Sequence, residues 1–189
     1  MPFTLPPILL QLPRNPAIAV GLPLVLGMAD GQVTKSSLQS WYPSLTQPAG
    51  EPPRWAFPVV WTTLYVGMGF ASHVLVKALD TAIIGSPTSR LAMSALKLYW
   101  AQLALNLAWT PLFFGLRNPL LGLADILPLT ATTYALAGKA YKVDPRTAFV
   151  FVPYCAWLSY ATYLNAGIWW LNGGEAKIKK AKQDAKKDL

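Results

Sequence analysis

Five long, mostly apolar stretches decide what this chain can fold into. They cover residues 16–34, 59–79, 91–114, 119–141 and 147–171. A helix needs about 20 such residues to cross a bilayer. None of the five alternates with period two for long enough to read as a strand. Backbone in lipid must also satisfy its own N–H and C=O groups, which helices do. The expected fold class is an all-α membrane protein, a five-transmembrane-helix bundle. The first stretch is the weakest, because it contains Pro23, Asp30 and Gln32. The expected organisation is an N-terminal segment 1–15, a membrane domain 16–172 and a basic C-terminal tail 173–189.

Proline placement agrees with helices in lipid. Pro23, Pro111, Pro128 and Pro153 fall inside apolar runs, where a helix in water would usually break and a membrane helix is rescued by its neighbours. Pro119 and Pro145 fit first-turn positions behind the N-cap candidates Asn118 and Asp144. Gly173 and Gly174 read as the stop after the last helix.

Composition removes most other functions. Charged residues are 13% of the chain and hydrophobic ones 53%, which excludes a disordered chain, a collagen and a coiled coil. One cysteine, Cys155, and one histidine, His73, leave no internal disulfide and no His or Cys metal cluster. Ser72, Ser159 and His73 do not form a nucleophile–base–orienter set. Ion-coupled transport would draw on several carboxylates inside the spans, and only Asp30 and Asp125 lie there. The net charge is +8, and six of the sixteen basic residues are tail lysines. The aromatics lie in apolar stretches rather than between those lysines, so no nucleic acid is expected as a partner. The tail reads instead as a solvated segment near anionic lipid. The first 15 residues lack a positive start before an apolar core, so neither a secretory signal nor an Arg-rich transit peptide is expected. With five spans the basic residues divide seven to nine between the two sides, and the positive-inside rule leaves the orientation open.

Helical spacing groups the polar and aromatic residues. Trp61, Tyr65, Met68 and Ser72 share one face of the second stretch, and Gln102, Asn106, Trp109 and Phe113 one face of the third. Asp125, Pro128 and Thr132 fall together on the fourth, and Tyr154, Trp157, Ala161 and Asn165 on the fifth. Polar groups in lipid turn inward, so these faces are expected to converge. Two readings stand side by side. In one, Gln102, Asn106, Asp125 and Asn165 only join helices, at ~0.6 kcal/mol each. In the other, the faces wall a ligand cavity. Trp61 and Trp157 likewise fit either that cavity or the interfacial aromatic belt, where Trp41, Trp55, Trp169 and Trp170 are the better candidates.

Three segments resemble the translocator protein family, also called the tryptophan-rich sensory protein or peripheral-type benzodiazepine receptor family. Trp41-Tyr42-Pro43 through Pro52-Pro53-Arg54-Trp55 and on to Pro58-Val59-Val60-Trp61-Thr62-Thr63-Leu64-Tyr65-Val66-Gly67-Met68-Gly69 is similar to WYxxLxxPxxxPPxW followed by PVWxxLYxxMG. Gln102 to Gly115 resembles QLALNxxWxPxFFG, and Pro153 to Asn165 resembles PYxxWxxxAxxLN. The resemblance spans about residues 41–172. It implies a five-helix bundle, usually a homodimer, with a cavity under the first loop and a cytosolic C-terminus. It implies binding of tetrapyrroles (porphyrin or haem) and possibly of sterols, with no cofactor required. The positions matching Trp61 and Trp157 would line the cavity, with those matching Trp109, Ala161 and Asn165 near it. Together with Tyr65 and Asn106 these are the candidate ligand-binding residues. Two alternatives stand beside this one: an enzyme promoting porphyrin degradation, and a membrane scaffold with the basic tail as its partner site. The family's Lys and aromatic in the first loop are replaced here by Gln47 and Gly50, and its GxxxG positions on the third helix read Lys97 and Ala101. The expected location is the outer mitochondrial membrane. The endoplasmic reticulum is the alternative, because Lys186-Lys187-Asp188-Leu189 resembles a dilysine retrieval signal.

Overall fold

The computed structural model describes residues 5–173. The basic tail, its lysines, Gly174 and the dilysine-like end lie outside the described residues. Helices make up the described chain, with no strand among the described residues. A short α1 (Pro7–Gln11) is followed by five long helices: α2 (Pro16–Gln39), α3 (Ala56–Thr81), α4 (Pro87–Thr110), α5 (Pro119–Val143) and α6 (Ala148–Leu171). The long ones hold 24 to 26 residues, about 36–39 Å at 1.5 Å per residue. That exceeds the ~30 Å hydrocarbon core of a bilayer.

Length and apolar character do not coincide in all five. Three, α2, α3 and α5, are both long and apolar enough to cross a membrane. The other two match them in length only. Helix α4 carries Arg90, Lys97, Gln102 and Asn106. Helix α6 has no Asp, Glu, Lys or Arg, but Tyr154, Trp157, Tyr160, Tyr163 and Asn165 lower its mean hydropathy.

Local signals account for the helix ends. Asn118 caps α5, its Oδ1 accepting from the N–H groups of Leu120 and Leu121 at 3.1 and 3.2 Å. Asn15 does the same for α2 at 2.9 and 3.3 Å. Asp144 caps only the 3-10 turn Pro145–Thr147 that leads into α6. There the Arg146 side chain holds its carboxyl below the ordinary carboxylate range. Gly173 follows α6 with φ of 78°, the left-handed stop expected of glycine. Pro111 does not interrupt α4; it opens a π-helical turn, Pro111–Gly115, directly after it.

Each long helix packs on the next, from α2 to α6, and α3 also touches α6. The core runs through Leu64, Met68, Leu75, Leu96, Leu103, Leu129, Leu136, Phe151 and Leu158. The inward face of α5 is Gly122, Asp125, Ile126, Leu129 and Thr133. Pro128, expected on Asp125's face, is exposed, and Thr133 rather than Thr132 is the buried threonine. The reason is that Asp125 lies at one edge of the buried stripe Gly122, Ile126, Leu129, Thr133 and Leu136, so Pro128 and Thr132, on its far side, turn away from the core.

Residues 5–15 belong to the bundle. Leu5 is buried, and Leu9 and Leu10 pack on the core. Trp100 Nε1 donates to Leu9 O at 2.9 Å, His73 Nδ1 lies 2.8 Å from Pro13 O, and Arg14 forms an exposed fork on Asp80 at 2.8 and 2.9 Å.

Helices α2 and α3 approach closely at Gly69. A Cβ there would lie 2.4 Å from Ala19 O and 2.5 Å from Val20 Cα, both backbone atoms. Gly138 of α5 has open space around it. Gly69→Ala is therefore expected to lower the melting temperature of the purified protein clearly, while Gly138→Ala holds or raises it, since alanine is the better helix former by ~1 kcal/mol. Circular dichroism melts in one detergent compare the two.

Candidate functional site

A cavity of about 470 Å³ opens between the five long helices, α5 contributing Ile126 and Leu129, below the loop that joins α2 to α3. Eight of the residues that line it are aromatic. Trp61 and Tyr65 sit one turn apart on α3, ring centroids 5.8 Å apart and tilted by 32°. Trp157 of α6 meets Trp61 edge-on at 6.4 Å and 89°, so the two indoles form adjoining walls at a right angle. Phe57 and Tyr160 flank Trp157 at 6.1 and 5.7 Å. On α4, Trp109 stacks on Phe113 at 4.9 Å and 18°. Offset and edge-on pairs of this kind stabilise an aromatic wall beyond its area burial.

Beneath the walls a hydrogen-bond chain links three helices. Tyr65 Oη donates to Asn106 Oδ1 at 2.7 Å. Asn106 Nδ2 donates to Tyr154 Oη at 3.0 Å, and Tyr154 Oη donates to Gln102 Oε1 at 2.9 Å. Gln102 Nε2 ends the chain on Met68 Sδ at 3.4 Å. Asn106 thus both joins helices and borders the cavity.

Of the seven candidate residues, Trp61, Tyr65, Asn106, Trp109, Trp157 and Ala161 line this cavity. Asn165 does not. It is buried behind Trp109, accepting from its Nε1 at 3.0 Å and donating to Pro119 O at 2.8 Å. Trp109 therefore has no free N–H, whereas Trp157 Nε1 is buried without a partner. Asp125 is also outside the lining, with Oδ2 unpartnered. Among the belt candidates, Trp55 and Trp170 are exposed, while Trp41 packs edge-on against Phe113 at 5.6 Å.

Sequence spacing missed the contribution of α2, which brings Leu24, Gly27, Asp30, Gly31, Thr34, Lys35 and Leu38 to the cavity. The signal was the trio of Pro23, Asp30 and Gln32 that weakened the first stretch. Gly27 makes room there: a Cβ would fall 2.1 Å from the Tyr65 ring.

The loop above is strapped to α6. Tyr160 Oη donates to Gly50 O and Tyr163 Oη to Ala49 O at 3.0 Å. Asn172 exchanges two 3.0 Å bonds with the Thr46 backbone, and Pro48 sits over Gly167. Gln47 Nε2 donates to Tyr42 O at 3.0 Å. Burial, reinforced by Glu51, pushes the Tyr42 phenol above its ordinary range.

Asn106→Ala is expected to destabilise the protein by ~2 kcal/mol or more, because the Tyr65 hydroxyl loses its acceptor and Tyr154 a donor, and each unsatisfied buried group costs ~1–3 kcal/mol. Tyr65→Phe, which removes one hydroxyl and leaves Asn106 joined to Tyr154, should cost less. Thermal melts of both variants measure the difference.

Comparison with known proteins agrees with this architecture. The TspO/MBR family profile matches residues 19–171. The translocator protein of Bos taurus is 39% identical over 158 residues, covering 83% of this chain and 90% of the bovine one. The translocator protein homolog of Schizosaccharomyces pombe is 44% identical over 131 residues, 69% of this chain and 77% of its own length. The tryptophan-rich protein TspO of Chlorobaculum tepidum is 36% identical over 156 residues, 82% and 94% of the two chains. With its apolar helices, this chain is an integral membrane protein and belongs to the TspO/MBR family.

Proposed function

We propose that this protein crosses its membrane with all five long helices and binds flat, largely apolar molecules, tetrapyrroles foremost and sterols second, in the cavity under the α2–α3 loop. The observation that carries the reading is the right-angled pair Trp61 and Trp157 on one aromatic cavity. Indole faces stack on a planar ring system, and the unpartnered Trp157 N–H offers it a donor. Ala161 acts by being small, since a larger side chain there would fill the slot. The volume, about 470 Å³, falls within the ~300–1,000 Å³ of small-molecule sites. The protein needs no cofactor for this and works as a binding or transport protein rather than a catalyst. It acts as a homodimer, for which the exposed small residues Ala101 and Ala104 of α4 offer close approach. Its C-terminus faces the cytosol, and its membrane is the outer mitochondrial one.

Porphyrin titrated into the purified protein should quench its tryptophan fluorescence at micromolar concentration. Trp61→Phe and Trp157→Phe keep most of the apolar bulk, so both should fold. Each should weaken porphyrin binding by ~1 kcal/mol or more, the scale of one lost hydrogen bond. Two folded variants that bind porphyrin as tightly as the parent would move these indoles to the interfacial belt and end the cavity reading. Tags at the two ends, probed by protease on intact membranes, should be protected on opposite sides.

A further inference from the structure

The cavity lining contains a single carboxylate, Asp30 of α2. Its Oδ2 is shielded from solvent and has no hydrogen-bond partner. Thr110, next to Trp109 on α4, lines the same cavity. One turn back along α2, Gly27 lies under the Tyr65 ring, which in turn leans on Trp61. The acid thus shares its cavity with Trp61, Tyr65 and Trp109, on a lining that is otherwise largely apolar.

Two cations also line the cavity, Lys35 and Arg54, and neither pairs with Asp30. The ion pairs among the described residues are Arg14 with Asp80 and Arg146 with Asp144. Lys35 is five residues further along α2, about 7.5 Å along the axis and about 140° around it. Arg54 belongs to the loop. An ionised carboxylate without a counter-charge is strongly disfavoured in such surroundings. A ligand ammonium relieves that directly, and aromatic faces attract the same cation. Neither a sterol nor a porphyrin brings such a group to Asp30.

We propose that Asp30 makes the cavity a site for a monocationic, amphipathic amine, its ammonium paired with Asp30 and its apolar body against Trp61, Tyr65 and Trp109. The proposal rests on reading the cavity as a ligand site, and it names a ligand class distinct from the tetrapyrroles. Lys35 and Arg54 set the polarity of the site: the ammonium goes to the α2 acid and away from the two cations.

The test uses the full-length protein in a non-ionic detergent and two dansyl probes of nearly equal size. N-(2-aminoethyl)dansylamide carries an ammonium at neutral pH, and N-(2-hydroxyethyl)dansylamide is uncharged. Tryptophan-to-dansyl energy transfer reports binding. The amine should bind at least tenfold more tightly than the alcohol. Asp30→Asn should bring the amine down to the affinity of the alcohol, and Asp30→Glu should keep a preference for the amine. Equal affinities in the parent would overturn the proposal, and so would a preference that survives in a helical Asp30→Asn protein. If Asp30→Asn loses its helical circular dichroism, the parent comparison together with Asp30→Glu decides. Porphyrin quenching on the same parent sample separates the two readings. Quenching without an amine preference leaves the tetrapyrrole site and removes this one. An amine preference without quenching does the reverse.

Discussion

The chain Tyr65–Asn106–Tyr154–Gln102 is the interaction on which the rest of the bundle depends. It joins α3, α4 and α6 through buried side chains, each of which would otherwise be left unpaired. A directional chain of this kind fixes the rotation of three helices about their axes at once. That rotation turns Trp61, Trp109 and Trp157 toward one space. Apolar packing alone would tolerate several rotations, because leucine and lipid are equally apolar.

Close backbone approach does complementary work. At Gly69 the α2 backbone fills the volume of an absent side chain, and at Gly27 the Tyr65 ring does so. Both contacts draw α2 onto α3, and α2 is the helix that brings Asp30, Thr34 and Lys35 to the cavity. The two ends of the bundle are then closed by segments that are not long helices. At one end the residues before α2 dock through Trp100, His73 and Asp80. At the other, the α2–α3 loop is strapped to α6 by Tyr160, Tyr163 and Asn172. These bonds hold the loop over the cavity mouth.

The same rings serve stability and wall the cavity. Trp109 is held by Asn165 and Phe113 and offers the cavity only its surface. Trp157 keeps an unpaired N–H, and Asp30 an unpaired oxygen. Buried polar groups are almost always satisfied. The two exceptions on this cavity are therefore the atoms with most to gain from an occupant.

The sequence by itself determined the helical class, the first residues of α2 and α5, the last of α6 and the aromatic faces of α3, α4 and α6. Those features follow from local rules: apolar runs of bilayer length, caps such as Asn118, and residues four apart on one face such as Trp61 with Tyr65 and Trp157 with Ala161. Only the tertiary structure decided which partner each inward side chain finds. It set Asn165 behind Trp109 rather than in the cavity, turned Pro128 outward, folded residues 5–15 into the bundle and brought Asp30 to the cavity. Spacing along one helix gives a face but not the rotation of a neighbour. That rotation is fixed by contacts between residues far apart in sequence, such as Tyr65 with Asn106 and Gly69 with Ala19.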